Sequence, residues 1–209
     1  MSRIISGTAR GRHIKVPPGG TRPTTDRVRE SLFAALDHLI GGFAGKHVLD
    51  LYAGSGALGL EAASRGAEVA VLVERDRRTA AVARENAGVV GAAGVRVVPA
   101  AVSAFLAGAP ASFDVVLADP PYDLPAAHLE AVLERICAGW LADGAIVVVE
   151  RATQGGGFRW PTRIVPLQHR TYGGTTLWYG RRALDGQDGR RRAPDSPDRR
   201  QRAPGGEER

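Results

Sequence analysis

Five short apolar segments alternate with four stretches of helical patterning in the middle of this 209-residue chain. The segments are residues 47–52, 68–74, 95–99, 113–118 and 145–150. The helical stretches are residues 57–65, 77–87, 103–107 and 126–138. Apolar residues run continuously through the segments, which is typical of parallel strands covered on both faces. The alternation therefore predicts an α/β fold built on a doubly wound, mostly parallel sheet.

The end of the apolar region departs from this alternation. Residues 163–172 and 175–180 have strand patterning and are separated by Gly173 and Gly174, so they are predicted to form a hairpin. The hairpin would bring the sheet to seven strands. An open parallel sheet that ends in a hairpin is the pattern of Rossmann-like methyltransferases, so we expect this class I architecture.

The N-terminal region predicts a smaller hairpin followed by a helix. Residues 3–5 and 13–16 are strand-like pieces with turn signals between them. Apolar residues at helical spacing then predict a helix over residues 26–40, with Thr25 or Asp26 as its N-cap.

These features divide the chain into three predicted parts. Residues 1–21 form a basic β-hairpin extension, residues 22–184 form the methyltransferase domain, and residues 185–209 form a tail. The tail contains no Ile, Val, Phe, Met or aromatic residue. Burial of its side chains cannot offset the entropy lost on ordering its backbone, so the tail is predicted to be disordered.

Positive charge is concentrated near the N-terminus. Residues 1–31 contain seven Arg or Lys and two acidic residues, whereas residues 32–184 sum to zero and the whole chain carries +6. A basic segment beside a neutral body is expected to contact a polyanion.

Several other classes of protein are excluded by the sequence pattern. No apolar run reaches the length of a membrane span, and the first residues lack the apolar core of a signal peptide. The single cysteine, Cys137, cannot form an internal disulfide or a zinc cluster. We therefore expect a cytoplasmic protein with no membrane association and no metal site.

A glycine-rich turn follows the first core strand. Residues 50–59 read DLYAGSGALG, in which the glycines allow a tight turn and close approach of a ligand to the N-terminus of the next helix. Glu74 stands twenty residues after Gly54, where a carboxylate can accept hydrogen bonds from ribose hydroxyls. The pattern predicts an adenosine site but is compatible with either NAD or S-adenosylmethionine. Asp50 favours the second, because a carboxylate there suits the cationic amino-acid end of that cofactor, directly or through water.

A second motif, Asp119-Pro120-Pro121-Tyr122, follows the fourth core strand. It resembles motif IV of methyltransferases that act on exocyclic amines of bases. Such an amine is a weak nucleophile, and the Asp119 carboxylate and the Pro120 carbonyl are candidate acceptors for its N–H groups. The prolines stiffen the loop, and Tyr122 is a candidate to stack on a base that has left its own stack.

Together these segments resemble the RsmD family over residues 2–182. The resemblance rests on RIISG at 3–7, RGR at 10–12, RPTTDRVRE at 22–30, DLYAGSGALGLEAASRGA at 50–67 and ADPPY at 118–122. It implies methyl transfer from S-adenosylmethionine to the exocyclic N2 of guanine 966 of 16S rRNA in the small ribosomal subunit, by a monomeric enzyme.

The resemblance also assigns roles to individual residues. The catalytic residues would be Asp119, Pro120 and Tyr122. The cofactor would be bound by Asp50, Gly54, Gly56, Glu74, Arg75 and Val102. RNA would be bound by Arg10, Arg12, Arg22, Thr24, Arg27 and Tyr172, within the N-terminal hairpin, the basic 22–29 stretch and the C-terminal hairpin. One departure is Ala101, where the family commonly has Asp or Asn to bind the adenine amine, so the adenine would depend on backbone groups near Val102 or on Ser103.

Three other functions remain open at this point. A related enzyme would methylate DNA adenine or another exocyclic amine such as a protein glutamine, although 209 residues leave no room for an added target-recognition domain. A nicotinamide-dependent oxidoreductase would use the glycine turn but not the Asp-Pro-Pro-Tyr motif. A non-catalytic nucleic-acid-binding module would keep the fold without methyl transfer.

Overall fold

The computed structural model describes residues 2–17, 25–155 and 157–184. The strands in these residues are β1 (Ser2–Arg3), β2 (His13–Ile14), β3 (His47–Leu51), β4 (Val69–Glu74), β5 (Val95–Pro99), β6 (Phe113–Ala118), β7 (Leu141–Ala152), β8 (Ile164–Tyr172) and β9 (Thr175–Arg182). The α-helices are α1 (Asp26–Ile40), α2 (Ala57–Ser64), α3 (Arg77–Val90), α4 (Val102–Phe105) and α5 (Ala126–Cys137). None of the helices described is long and apolar enough to cross a membrane.

Seven of the strands form one sheet in the order β5-β4-β3-β6-β7-β9-β8. Strands β3 to β7 are parallel, and β8 and β9 form the antiparallel hairpin. The predicted α/β class, the seven-stranded sheet and its terminal hairpin are therefore confirmed. The chain winds outward from β3 to β5 and then returns to β6 on the other side of β3. Such a reversal opens a crevice at the carboxyl ends of β3 and β6.

Apolar side chains cover both faces of the sheet, as the continuous apolar strands predict. In β6, Val115 and Leu117 face the layer that contains α1 and α2, whereas Val116 and Ala118 face the layer that contains α5. Helix α1 begins at the predicted cap, because the Thr25 side chain accepts a hydrogen bond from the Val28 amide. The largest difference in bounds is β7, which begins four residues before the predicted strand.

The small N-terminal hairpin, β1 paired with β2, is also confirmed. It packs on the sheet domain rather than standing free. Ile4 and Ile14 are buried against α2 and α3, and the buried Glu61 carboxylate of α2 accepts the Ile5 and Ser6 amides at 2.7 and 3.0 Å. The extension is therefore anchored on α2 by both apolar and polar contacts.

Arg29 connects the same hairpin to α1. Its side chain is 1% exposed and donates hydrogen bonds to Ser2 Oγ, the Arg3 carbonyl and Asp26 Oδ1. Burial lowers the pKa of this guanidinium, and the adjacent Asp26 partly offsets that effect. The expectation that the whole basic 22–29 stretch grips RNA is thus wrong for Arg29, because a buried guanidinium with internal acceptors cannot reach a phosphate.

Two of the predicted RNA-binding residues, Arg22 and Thr24, lie outside the described residues, as does the 185–209 tail. The boundary between residues 21 and 22 lies there too. The division into three parts therefore stays a prediction.

Candidate active site

A cavity of about 610 Å³ opens at the carboxyl ends of the central strands. Five of the residues predicted from the sequence line it: Gly54, Glu74, Arg75, Val102 and Asp119. They come from the turn after β3, the end of β4, the start of α4 and the loop after β6. The reversal of strand order thus brings both sequence motifs to one cavity, although they are more than sixty residues apart along the chain.

The glycine turn has the backbone that its glycines predict. Gly54 and Gly56 have φ of 55° and 85°, in the left-handed region, and Gly56 caps the N-terminus of α2. A Cβ on Gly56 would lie 2.7 Å from Leu72 Cδ2. Gly56 is not among the cavity-lining residues, so its role is to bring α2 close to β4 while Gly54 faces the cavity.

Glu74 holds the glycine turn from the neighbouring strand. Its Oε2 accepts the Gly54 amide at 2.9 Å and its Oε1 accepts the Asp76 amide at 2.8 Å. The half-buried carboxylate is therefore fixed in orientation at the wall of the cavity. This is where the sequence pattern places the acceptor for ribose hydroxyls.

Asp50 lies beneath the turn rather than in the cavity wall. Its side chain is 1% exposed, and its Oδ2 accepts the Gly59 amide at 2.8 Å. Its Oδ1 has no hydrogen-bond partner among the described residues. Burial raises the pKa of Asp50 to about 7, and the neighbouring Glu74 carboxylate contributes to the increase. An acceptor without a partner at this position fits a nearby cationic group or a bridging water.

Tyr52 is a cavity residue that the sequence analysis missed. It lines the cavity, has φ of 62° and is the only non-glycine residue with positive φ in the described chain. An aromatic residue in this region is strained, and such strain is concentrated at ligand sites. The sequence did not identify Tyr52 as a site residue, because its strain is visible only in the backbone conformation.

The Asp-Pro-Pro-Tyr loop places its residues differently around the cavity. Asp119 and Pro121 line it. Pro120 is buried and does not line it, and Tyr122, which is 43% exposed, does not line it either. The Pro121 carbonyl accepts the Leu124 amide at 2.9 Å and closes a turn. The loop is thus a rigid edge with a carboxylate inside and an exposed aromatic ring at the rim.

Asp119 has a buried acidic neighbour, Glu150, which the sequence analysis did not assign. Ala118 pairs with Val149 across β6 and β7, so Asp119 and Glu150 are the next residues on adjacent strands. Glu150 is 4% exposed. Burial raises the pKa of Asp119 well above its usual range, and the nearby charges of Glu150 and Asp50 raise it further. The rule that parallel strand ends carry functional residues could have singled out Glu150.

One end of the cavity is lined by Ala101, Val102 and Ser103 at the start of α4. Ala101 is the N-cap of this short helix and supplies no side-chain hydrogen bond. Ser103 and the backbone of this segment therefore lie beside the cavity, in place of an acidic or amide side chain at Ala101.

The structure describes four of the predicted RNA-binding residues: Arg10 and Arg12 between the two strands of the N-terminal hairpin, Arg27 on α1 and Tyr172 on β8. Arg10 is exposed on the N-terminal hairpin, whereas the Arg12 guanidinium donates to the Val89 and Val90 carbonyls at the C-terminus of α3. Arg27 is exposed on α1. The Tyr172 hydroxyl forms a hydrogen bond with Ser31 on the same helix. Arg27 and Tyr172 are therefore on one side of the domain, and Arg12 has a structural partner of its own.

The sequence and the fold both match known proteins. The family described as "Conserved hypothetical protein 95" matches residues 2–181. The chain belongs to this family. Its resemblance to RsmD proteins is confirmed by the Escherichia coli K12 protein named "Ribosomal RNA small subunit methyltransferase D", which is 42% identical over 156 residues, 74% of this chain and 76% of the relative.

Solved structures share the fold of this family member. The yhhF protein of Escherichia coli superposes with a TM-score of 0.78 at 36% identity, covering 87% of this chain and 98% of that chain. An RNA methyltransferase from Salinibacter ruber, solved with S-adenosyl-L-homocysteine, has a TM-score of 0.59 at 21% identity and covers 85% of this chain and 100% of that chain. The protein is a class I methyltransferase, and the ligand of the Salinibacter ruber structure is the product that S-adenosylmethionine leaves after methyl transfer.

The cavity wall, together with Asp50 beneath it, fits S-adenosylmethionine. Glu74 stands where ribose hydroxyls would bind, the Gly54 turn allows close approach, and the partnerless Oδ1 of Asp50 suits the cationic amino-acid end. A dinucleotide would fit less well, because its diphosphate would lie near the Asp50 carboxylate.

Cofactor affinity should depend on pH through Asp50. Its raised pKa of about 7 means that Asp50 is mostly protonated below that pH and ionised above it. Only the ionised form attracts the cofactor's ammonium, so affinity for S-adenosylhomocysteine should rise about tenfold between about pH 6 and about pH 8. Calorimetric titration across this range measures the effect.

The matched variants are Asp50→Asn and Asp143→Asn, the latter at an exposed carboxylate on β7. Asp50→Asn should bind weakly with no rise across the pH range, whereas Asp143→Asn should behave like the wild type. The same rise in Asp50→Asn would show that another group controls binding. Without cofactor, the raised pKa in the folded protein should make the free energy of unfolding fall as pH rises from about 4 to about 7.

Proposed function

We propose that this protein transfers a methyl group from S-adenosylmethionine to the exocyclic N2 of guanine 966 of 16S rRNA in the small ribosomal subunit. The observation that carries the proposal is the Asp119-Pro120-Pro121-Tyr122 loop, which places a carboxylate inside the cofactor cavity and an exposed aromatic ring at its rim. The name of the Escherichia coli relative, a methyltransferase of small-subunit ribosomal RNA, supports the substrate.

The cofactor, when bound, supplies an electrophilic methyl group on a positively charged sulfur. Gly54, Glu74 and Val102 would hold it in the cavity. Asp119 would accept a hydrogen bond from the N2 amino group, which makes the nitrogen lone pair more available. As the N–CH₃ bond forms and the S–CH₃ bond breaks, the nitrogen loses a proton, and the Asp119 carboxylate is positioned to receive it.

The electrostatics around Asp119 suit this role. Burial and the adjacent Glu150 and Asp50 raise its pKa, which makes the carboxylate a stronger base than an exposed aspartate. A positively charged cofactor in the same cavity favours the ionised form. Much of the remaining acceleration would come from alignment of the amine with the methyl group.

Tyr122 and the basic surfaces would position the RNA. The exposed Tyr122 ring is available to stack on a guanine that has left its stack. Arg10 on the N-terminal hairpin and Arg27 on α1 are exposed and would contact phosphates. Arg12, which binds the end of α3, would contribute mainly by holding the hairpin in place. We also propose that the enzyme is cytoplasmic and acts as a monomer. A molar mass of about 22 kDa measured by light scattering would support the monomer.

The experiment that tests this function is transfer of labelled methyl groups to three substrates: small ribosomal subunits that lack the modification, naked rRNA and genomic DNA. Nucleosides from each product would be identified after digestion. We expect N2-methylguanosine from the subunits. Labelled N6-methyladenine in DNA would overturn the substrate. The absence of label in all three, with bound S-adenosylhomocysteine demonstrated, would indicate a protein substrate or a non-catalytic module.

A further inference from the structure

The neutral total of residues 32–184 conceals a strongly basic C-terminal segment. Residues 151–184 contain six arginines and no Asp or Glu, whereas residues 32–150 contain eight Arg or Lys and 14 Asp or Glu. The C-terminal segment includes both strands of the β8–β9 hairpin at the edge of the sheet. This segment is therefore a second candidate to attract a polyanion, far from the N-terminus in sequence.

Four of the six arginines bind the protein itself. Arg151 donates to the Leu124 carbonyl, Arg159 binds Glu130, Arg181 donates to the Leu39 carbonyl and Arg182 pairs with Asp143. The other two, Arg163 and Arg170, are exposed and have no hydrogen bond or ion pair within the described part of the chain. These two can contact a partner without breaking an internal interaction.

Arg170 lies in the same row of the sheet as the catalytic loop. Arg170 pairs with Leu177 across β8 and β9, and Leu177 pairs with Glu150 across β9 and β7. Directly paired residues project from the same face of a sheet. With neighbouring strands about 4.8 Å apart, the Cα atoms of Arg170 and Glu150 are about 10 Å apart, and Asp119 is one strand further.

Arg163 immediately precedes Ile164, at the other end of the same strand. Strand β8 runs in the same direction as β7, because each is antiparallel to β9. Arg170 is therefore near the carboxyl edge, where the cavity opens, and Arg163 is near the opposite edge. Both are exposed arginines, and they differ in their distance from the cavity.

A second exposed arginine faces the region of Arg170 from α1. Arg27 is one helical turn before Ser31, whose hydroxyl binds the hydroxyl of Tyr172. Tyr172 is two residues after Arg170, so the two project from the same face of β8. Arg27 and Arg170 thus approach Tyr172 from a helix and from a strand, and no hydrogen bond or ion pair within the described residues neutralises either one.

We propose that Arg170 binds a backbone phosphate of the RNA beside the target nucleotide, with Arg27 on the facing helix. A guanidinium can bind phosphate through two parallel hydrogen bonds, which gives both orientation and affinity. The β8–β9 hairpin would then form the wall of the substrate groove opposite the Asp119 loop. This proposal rests on the proposed function, because it takes RNA as the substrate.

The test compares Arg170→Ala and Arg170→Lys with Arg163→Ala as the matched control. Binding of unmodified small ribosomal subunits would be measured at several salt concentrations, together with kcat and KM for methyl transfer. Arg170→Ala should weaken binding and raise KM about tenfold, with kcat and S-adenosylhomocysteine binding nearly unchanged. The slope of log affinity against log salt should fall by about one, Arg170→Lys should restore that slope, and Arg163→Ala should match the wild type.

Equal salt slopes and KM values for Arg170→Ala and the wild type would overturn the proposal. Equal losses in Arg170→Ala and Arg163→Ala would also overturn it, because they would show a diffuse charge effect. The two proposals can fail separately. If the wild type transfers no methyl group to subunits, the proposed reaction is wrong. If Arg170→Ala still loses salt-dependent binding while Arg163→Ala does not, the phosphate contact is supported. A loss of binding without any change in salt slope would indicate a protein contact on the subunit and overturn the phosphate assignment.

Discussion

Replacement of Asp119 by alanine should lower kcat for methyl transfer by about 10²–10⁴-fold, the range expected for removal of a group that takes a proton in the reaction. The variant removes both a hydrogen-bond acceptor for the amine and the nearest base in the cavity. Cofactor binding should persist, because Glu74, Gly54 and the α4 segment are unchanged. Labelled methyl transfer under saturating substrates measures kcat, and calorimetry with S-adenosylhomocysteine measures cofactor binding.

The same variant should be at least as stable as the wild type. Asp119 lies among the acidic groups Glu150 and Asp50, and these charges raise its pKa. Removing one carboxylate relieves that repulsion, so the free energy of unfolding near neutral pH should stay equal or rise. Loss of activity without loss of stability is the signature of a group retained for function.

Two variants sharpen this prediction. Asp119→Asn keeps a carbonyl acceptor but cannot take a proton, so its kcat separates the two roles of the carboxylate. Asp123→Ala removes an exposed carboxylate four residues along the same loop and should leave kcat nearly unchanged. If Asp119→Ala kept more than about a tenth of the wild-type kcat, the assigned role would be wrong.

Replacement of Gly7 by alanine should destabilise the protein by about 3–5 kcal/mol. A Cβ on Gly7 would lie 1.8 Å from the Ser64 carbonyl oxygen, and the residue has φ of 83°. That carbonyl accepts the Thr8 amide at 2.8 Å, and the Ser64 hydroxyl accepts the Ala9 amide at 3.0 Å. The loop would have to leave α2 and would lose these contacts. Denaturant unfolding monitored by circular dichroism measures the change.

Gly11 supplies the control, because it has nearly the same backbone with open space around it. Its φ is 82°, and an added Cβ would meet no atom within 4 Å. Gly11→Ala should therefore cost only about 1–2 kcal/mol, the strain of a left-handed residue. Equal destabilisation by both substitutions would show that backbone strain, not the contact with α2, determines the cost. Gly7→Ala should also weaken RNA binding, since Arg10 depends on the same loop.

The architecture and the cofactor half of the site were largely predictable from the sequence. Continuous apolar strands, helical periodicity and capping residues act over short distances, so their patterns are readable without the fold. The glycine turn and Glu74 have a characteristic spacing within one strand–helix–strand unit. Asp119 was recognisable because it directly follows an apolar strand, and parallel strands end at one edge of the sheet.

The sequence was a poor guide where a residue's role depends on a partner far along the chain. Arg10 and Arg12 stand in one basic stretch, and Arg29 stands in another of similar appearance. The structure binds Arg12 to the end of α3 and buries Arg29 between β1 and α1, whereas Arg10 stays exposed. Charge counts along the sequence cannot separate these cases, because they do not show which guanidinium meets an internal acceptor.

Local patterning by itself determined the order of strands and helices, the cofactor turn and the acidic residue after β6, since each follows from neighbouring residues. Only the tertiary structure decided that Gly7 contacts α2 while Gly11 faces open space. It also decided that Glu150 lies beside Asp119 and that Arg170 shares a row of the sheet with both. The physical reason is the pairing of strands and the packing of helices. These bring together side chains separated by many residues, and the burial and charge of each group depend on those distant neighbours.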